Sequence, residues 1–119
     1  MNESGQEKAA DKPQSEIDRL VHEPARYLIM AYLYVVESAD FLFLERQTGL
    51  TRGNLSSHLS KLEGAGYLRI QKEFMEKKPH TMLALTEIGR SAFEDYRKKM
   101  KELLSQIPER FQENRDNAL

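Results

Sequence analysis

Leucines recur at helical spacing in the middle of the chain and give one predicted helix two very different faces. Leu55, Leu59 and Leu62 are separated by four and three residues, which places them on the same side of a helix. The remaining positions include three serines, Asn54 and Gly53, whereas an exposed helix is usually rich in long Glu and Lys side chains. The pattern predicts a helix over residues 51–65 with a buried leucine face and an outer face suited to close contact.

The longest apolar run predicts a central core helix. It has ten residues, 27–36, between Arg26 and Glu37, whereas a membrane-spanning helix needs about 20. Pro24 suits the first turn of a helix, so we expect this element to cover residues 24–37. Its inward side chains are predicted to be Ala25, Leu28, Ile29, Tyr32, Val35 and Val36.

Shorter elements flank the central helix. Ser15 is an N-cap candidate with Asp18 three residues later, which predicts a short helix before Pro24. The apolar stripe of that helix is Ile17, Leu20 and Val21. A very short strand is expected over 40–42 and a helix over 43–48, followed by Gly49, whose tolerance of positive φ permits a sharp turn.

The second half of the chain changes to strand periodicity and then returns to helix. Residues 67–74 alternate partly between apolar and polar, and residues 81–85 form the partner strand after a basic turn over 75–80. Thr86 caps a last helix that ends near Pro108. Steps of three and four, the spacing of a coiled-coil seam, connect Phe93, Tyr96, Met100, Leu103 and Ile107.

This order of elements predicts a winged helix-turn-helix. We expect a mostly α protein with a small β-hairpin, in one domain over residues 15–107, because 119 residues suffice for a single modest core. Terminal helices are expected to form a dimer interface. Residues 1–14 and 108–119 are predicted to be polar tails, the first of them flexible.

Charge is unevenly distributed along the chain. The net charge is −1, yet residues 51–81 carry six bases against three acids, whereas residues 1–50 carry nine acids against five bases. The basic segment contains the candidate contact helix, which favours a polyanionic partner. The chain has no Cys, and no secretory signal opens it, so we expect a cytoplasmic protein without disulfides or thiolate metal sites.

A longer motif resembles a known family. The pattern TGLTxGNLSxHLxKLExAGYL, followed by a strand, a K-K-P wing and LTxxGRxAF, is similar to small winged-helix transcriptional regulators related to the MarR and ArsR families. His22 to Arg26 also resembles their H-x-P-x-R sequence, and the similarity covers about residues 17–104. It implies a homodimer that binds double-stranded DNA, with the recognition helix in the major groove.

Candidate DNA contacts lie in the recognition helix and the wing. Asn54 is suited to adenine, and Arg52 to guanine or phosphate, whereas Lys77 and Lys78 suit backbone phosphates. The full set is Thr51, Arg52, Asn54, Ser56, Ser57, His58, Ser60, Lys61, Arg69, Lys72, Lys77 and Lys78. The alternative is a winged-helix module that binds a protein and never touches DNA, with a solvated helix face and a solubilising turn.

The histidines do not predict an enzyme or a metal site. His22, His58 and His80 lie in different elements without paired i, i+4 spacing, and no nucleophile motif or phosphate loop is present. We therefore predict no cofactor and no metal, and a structural or phosphate-contacting role for His58.

The apolar seam of the last helix predicts a homodimer. Five large apolar residues over four turns exceed what the small domain needs, and related regulators dimerise at this helix. The predicted interface is Ile17, Leu20, Val21, Phe93, Tyr96, Met100, Leu103, Leu104 and Ile107. The alternative is that the seam packs on its own domain.

Overall fold

The computed structural model describes residues 17–108, and this part of the chain contains four helices and one three-stranded sheet. In chain order the elements are α1 (Pro24–Val36), β1 (Ala39–Asp40), α2 (Phe41–Thr48), α3 (Arg52–Gly64), β2 (Leu68–Met75), β3 (Lys78–Leu85) and α4 (Glu87–Leu104). The prediction of a mostly α winged helix with a small hairpin is confirmed.

The sheet has the order β1-β3-β2 and is antiparallel throughout. The β2–β3 ladder extends to the pair Met75–Lys78, so the turn consists of Glu76 and Lys77 alone, both with positive φ (54° and 66°). The predicted turn over 75–80 was too long. Pro79 can remain in β3 because β1 pairs only near Ala39, which leaves that stretch of β3 with one neighbour.

Helix α1 confirms only part of its predicted inward face, with Ile29 buried and Ala25 and Tyr32 half-buried. Ile29, Met30 and Leu33 are fully buried, whereas Val35 is exposed. The predicted inward positions Leu28 and Val36 are also exposed, but less so, at 39% and 40%. The helix is apolar on almost every side, so periodicity could not select the buried face. No helix within residues 17–108 is long and apolar enough to cross a membrane.

The helix-turn-helix is fixed by leucines and by two caps. Leu55, Leu59 and Leu62 of α3 are buried, as the spacing predicted. Asp40 is the N-cap of α2, and its Oδ1 accepts from the Phe43 N–H (2.8 Å), so the helix starts two residues earlier than expected. Gly49 ends α2 with a φ of 72°. The unit from Asp18 to Tyr96 holds the whole buried core of the described residues.

A turn precedes α1 where a short helix was expected. Asp18 Oδ1 accepts hydrogen bonds from the backbone N–H groups of Leu20 (2.9 Å) and Val21 (3.3 Å). Residues 18–23 are therefore not helical, and Ser15, the predicted cap, lies outside the described residues. The other carboxylate oxygen of Asp18 accepts from the Tyr67 hydroxyl. Burial, this hydrogen bond and the charge of Asp18 raise the pKa of Tyr67 to about 12.

Candidate nucleic-acid interface

Helix α3 exposes a ridge of small residues opposite its buried leucines. The helix begins after Thr51, whose Oγ1 accepts from the Asn54 N–H (3.1 Å). Gly53, Ser57 and Gly64 lie on the side opposite Leu55, and all three are exposed. A surface without long side chains can approach the floor of a groove closely. The predicted buried leucine face is therefore confirmed, and small residues lie exposed on the opposite side of the helix.

One flank of α3 faces the wing. Arg52, Ser56 and Ser60 follow one another at steps of four, so they share this flank. They line a cleft of about 570 Å³ whose opposite wall is formed by β3, including Lys78 and Thr81. The cleft brings polar groups of the recognition helix and of the wing to the same side of the molecule.

Arg52 is held in place by α2 while remaining exposed. Its guanidinium lies 5.2 Å from the centre of the Phe41 ring, and its Nη2 lies 3.5 Å from Glu45 Oε1. Phe41 and Glu45 were not among the predicted site residues. They lie eleven and seven residues before Arg52, and only the packing of α2 beside the start of α3 brings them to it.

The other flank of α3 faces α1 through His58. The Arg26 guanidinium lies with its Nη1 3.1 Å from His58 Nδ1, and its Nε donates to the Leu20 carbonyl (2.7 Å). Because arginine has only donors, His58 Nδ1 must accept. This half-buried histidine thus joins α3 to α1, a structural role. Asn54 and Lys61 remain exposed.

The wing has an inner face and an outer face. Leu68 and Ile70 point toward the core, and Lys72 lies on the same face because side chains of a strand alternate. Arg69 lies on the opposite face, where it lines a small surface depression with Glu73. The structure therefore does not bring Arg69 to the side of α3. Lys72, Lys77 and Lys78 are all exposed.

His80 ties the base of the wing to α2. Its Nδ1 lies 3.6 Å from Asp40 Oδ2, and the side chain is half-buried. The same carboxylate caps α2, so one residue contacts both elements. Within residues 17–108, no group of three His, Cys, Asp or Glu side chains is arranged to hold a metal ion.

The residues predicted for the dimer interface have different surroundings. Val21 and Phe93 are buried in the core, where Phe93 stacks on Tyr27 with ring centres 5.2 Å apart. Tyr96 is half-buried, and its hydroxyl lies 2.8 Å from His22 Nδ1. Val21 and Phe93 are thus unavailable to a partner, because the protomer already covers them. The half-buried members are Ile17, Leu20, Tyr96, Met100 and Leu103, and the exposed members are Leu104 and Ile107.

Comparison with known proteins supports the winged-helix assignment. Uncharacterized protein MJ0432 from Methanocaldococcus jannaschii is 35% identical over 78 residues, which cover 66% of this chain and 85% of that protein. The structure of a transcriptional regulator homologue from Pyrococcus horikoshii OT3 superposes with a TM-score of 0.72 at 23% identity, covering 82% of this chain and 95% of that one. The structure of NadR in complex with 4-hydroxyphenylacetate gives a TM-score of 0.61 at 20% identity, covering 96% and 83%.

These findings confirm the winged-helix fold that the sequence motifs indicated. They also agree with the prediction of a binding protein rather than an enzyme, since the matching family is a DNA-binding domain. The match to that family, described as the winged helix DNA-binding domain, extends over residues 25–104. On this evidence, the chain belongs to the winged helix DNA-binding domain family.

Proposed function

We propose that this protein is a sequence-specific transcriptional regulator that binds double-stranded DNA as a homodimer. The observation that carries the proposal is the polar flank of α3, formed by Arg52, Ser56 and Ser60, which shares a cleft with Lys78 of the wing. In this arrangement α3 enters the major groove and the wing lies along the phosphate backbone.

The two elements have different tasks. Side chains near the start of α3, Asn54 and Arg52, contact base edges, because an amide pairs with adenine and a guanidinium with guanine. Lys72, Lys77 and Lys78 contact phosphates, where a flexible point charge needs no fixed geometry. Base contacts specify the sequence, whereas phosphate contacts supply affinity and position the protein.

Dimerisation uses the end of α4. Leu104 and Ile107 are 63% and 51% exposed, and large apolar side chains so placed favour burial against a second copy. A two-fold axis through this region would relate two recognition helices, so the operator should contain inverted half-sites about 10 base pairs apart, or a multiple of that distance. The protein acts in the compartment that holds its DNA, which we take to be the cytoplasm.

Selection of bound duplexes from a random pool tests the proposal. We expect an enriched inverted repeat, and a binding constant for it that exceeds the constant for scrambled duplex at the same salt concentration. A wild-type protein that binds no duplex even at low salt would contradict the proposal and favour a winged-helix module that binds a protein.

A further inference from the structure

The tip of the wing carries a large aromatic side chain that the protomer leaves uncovered. Phe74 is 80% exposed, more than any other large hydrophobic residue of the described chain. Its neighbour Met75 is 47% exposed. Burial of a phenylalanine ring contributes a large favourable hydrophobic free energy. A solvent-exposed ring at a hairpin tip does not gain this free energy, so it does not stabilise the protomer.

Strand alternation places Phe74 on the inner face of the wing. Leu68 and Ile70 are on that face and contact the core, and Lys72 and Phe74 continue the same row beyond it. Phe74 is paired in register with Pro79. The inner face thus ends in a phosphate-binding cation followed by an apolar step made by Phe74 and Pro79.

The acidic residues of the wing do not share this row. Glu73 lies on the outer face, and Glu76 is in the turn. The cation Lys72 stands two residues before Phe74 on this row, whereas Lys78 pairs with Met75 and lies on the outer face with Glu73. A polyanion that approaches the inner face therefore meets the cation Lys72 next to an apolar tip, with neither acidic residue of the wing in that row.

The wing is long enough to bring this tip to a second groove. Four residues of extended strand carry Phe74 about 13 Å beyond Ile70. The distance along B-DNA from a major groove to the next minor groove is half a helical repeat, about 17 Å. The strand covers most of this distance and the Phe74 side chain extends beyond its backbone, so the tip approaches the adjacent minor groove when α3 occupies the major groove.

We propose that Phe74, supported by Pro79, is an apolar wedge that enters the minor groove, partly unstacks one base step and bends the duplex. This inference rests on the proposed function. Wedges of this kind act most easily at pyrimidine–purine steps, which unstack at lower cost. Phe74 would thereby add sequence preference at a flanking position that α3 does not reach.

The decisive experiment compares Phe74→Ala with wild type on the selected duplex. End-labelled duplexes report bending by energy transfer, and 2-aminopurine placed at the flanking step reports unstacking. We expect wild type to bend the duplex and brighten 2-aminopurine. Phe74→Ala should lose both signals and bind about tenfold more weakly, as for loss of one aromatic–base contact. Its dependence on salt should not change, because no cation is removed.

Two further variants make the result specific. Phe74→Leu keeps an apolar wedge and should retain part of the bend, whereas Lys72→Ala should reduce the salt dependence. Val35→Ala is the matched control, because Val35 is a 78% exposed apolar residue on α1 and should change neither signal. Circular dichroism and thermal unfolding verify that each variant is folded.

The outcomes separate this inference from the proposed function. Wild type that binds the selected duplex without bending it, or a Phe74→Ala variant that binds and bends like wild type, overturns the wedge and leaves the regulator intact. Phe74→Ala that changes the oligomeric mass but not the bend also overturns it, since the tip would then contact a second copy. Failure of wild type to bind any duplex overturns the proposed function itself.

Discussion

The carbonyl oxygen of Tyr67 lies 2.0 Å from the position that a Cβ on Gly89 would occupy. The same oxygen accepts a hydrogen bond from the Thr86 N–H (3.0 Å), and the Thr86 hydroxyl donates to the Gly66 carbonyl (2.5 Å). Thr86 also caps α4 by accepting from the Gly89 N–H (3.0 Å). The first turn of α4 is therefore fastened to the backbone that joins α3 to β2, at a separation that only glycine permits.

Gly89→Ala should be strongly destabilising. The added methyl group meets backbone atoms, which cannot rotate away, so α4 must shift and the Thr86 hydrogen bonds weaken. We expect the free energy of unfolding to fall by about 3 kcal/mol, at the upper end of the overpacking range. Urea unfolding followed by circular dichroism measures this change.

Gly64→Ala is the matched control. Gly64 is also helical, but a Cβ there meets nothing within 4 Å. Helix propensity should then raise the free energy of unfolding by up to about 1 kcal/mol. Equal effects of the two substitutions would show that helix propensity, and not contact with Tyr67, decides the outcome at Gly89.

Tyr67→Phe should alter stability at alkaline pH. The pKa of Tyr67 is raised from 10.0 to about 12 in the folded protein, by burial first and then by Asp18. The folded state thus holds the phenolic proton more tightly, and this stabilisation is present below pH 10 and is lost as pH rises toward 12. At neutral pH the loss of the hydrogen bond should lower the free energy of unfolding of the variant by about 1 kcal/mol relative to wild type. Between pH 10 and 12 the variant should lose less stability than wild type, so the difference between the two proteins should shrink.

Unfolding of both proteins at pH 8, 10 and 11.5 tests this prediction. Lysines titrate in the same range, so the informative quantity is the difference between the two proteins at each pH. A difference that stays constant across the three pH values would contradict the assigned role of the Tyr67 proton.

Base readout and phosphate contact should separate by mutation. Arg52→Ala and Asn54→Ala should reduce the preference for the selected duplex more than the affinity for scrambled duplex, with about 1–3 kcal/mol of discrimination lost for each base contact. Lys77→Ala with Lys78→Ala should weaken binding to both duplexes alike. Fluorescence anisotropy titrations with each duplex provide the comparison.

The salt dependence gives an independent measure of the phosphate contacts. If Lys72, Lys77 and Lys78 of both protomers touch phosphate, the logarithm of the binding constant should fall with the logarithm of salt at a slope of about −5. The double lysine variant should have a shallower slope, whereas Asn54→Ala should keep that of wild type. Identical slopes for wild type and the lysine variant would show that Lys77 and Lys78 do not contact the phosphate backbone.

Leu104→Glu with Ile107→Glu should dissociate the dimer. Both side chains are exposed in the protomer, so the substitutions leave its core intact, while buried charges at the interface oppose association. Sedimentation velocity should show a monomer and weaker operator binding. Ile88→Glu, at a 64% exposed position in the first turn of the same helix, is the control and should remain dimeric. An unchanged mass for the double variant would contradict the proposed interface.

Local sequence patterns predicted the positions of the helices and strands better than they predicted which side of each is buried. The leucine spacing identified the buried side of α3 because its two faces differ sharply in polarity. In α1 the apolar residues surround the helix, so only packing decides that Met30 is buried and Val35 is exposed. In the wing, the predicted turn over 75–80 includes Pro79, whereas the observed turn consists of Glu76 and Lys77.

The sequence predicted which exposed residues form the candidate site, but not the contacts that hold these residues in place. The basic wing and the polar face of α3 are visible in the sequence, since charge and periodicity are local properties. The contacts of Arg52 with Phe41 and Glu45, and of His58 with Arg26, join separate elements. No spacing rule connects such pairs, because the approach of the helices creates them.

The two-residue turn of the wing limits how this hairpin can change length. Insertion of a single residue early in β2 would shift every later side chain to the other face, so Glu73 would take the inner position that Phe74 now holds. Paired insertions of two residues on each strand keep the faces and lengthen the wing by about 6.6 Å. The wing can therefore change length without changing its inner face only by two residues per strand at a time. Each such change is roughly the rise of two base pairs.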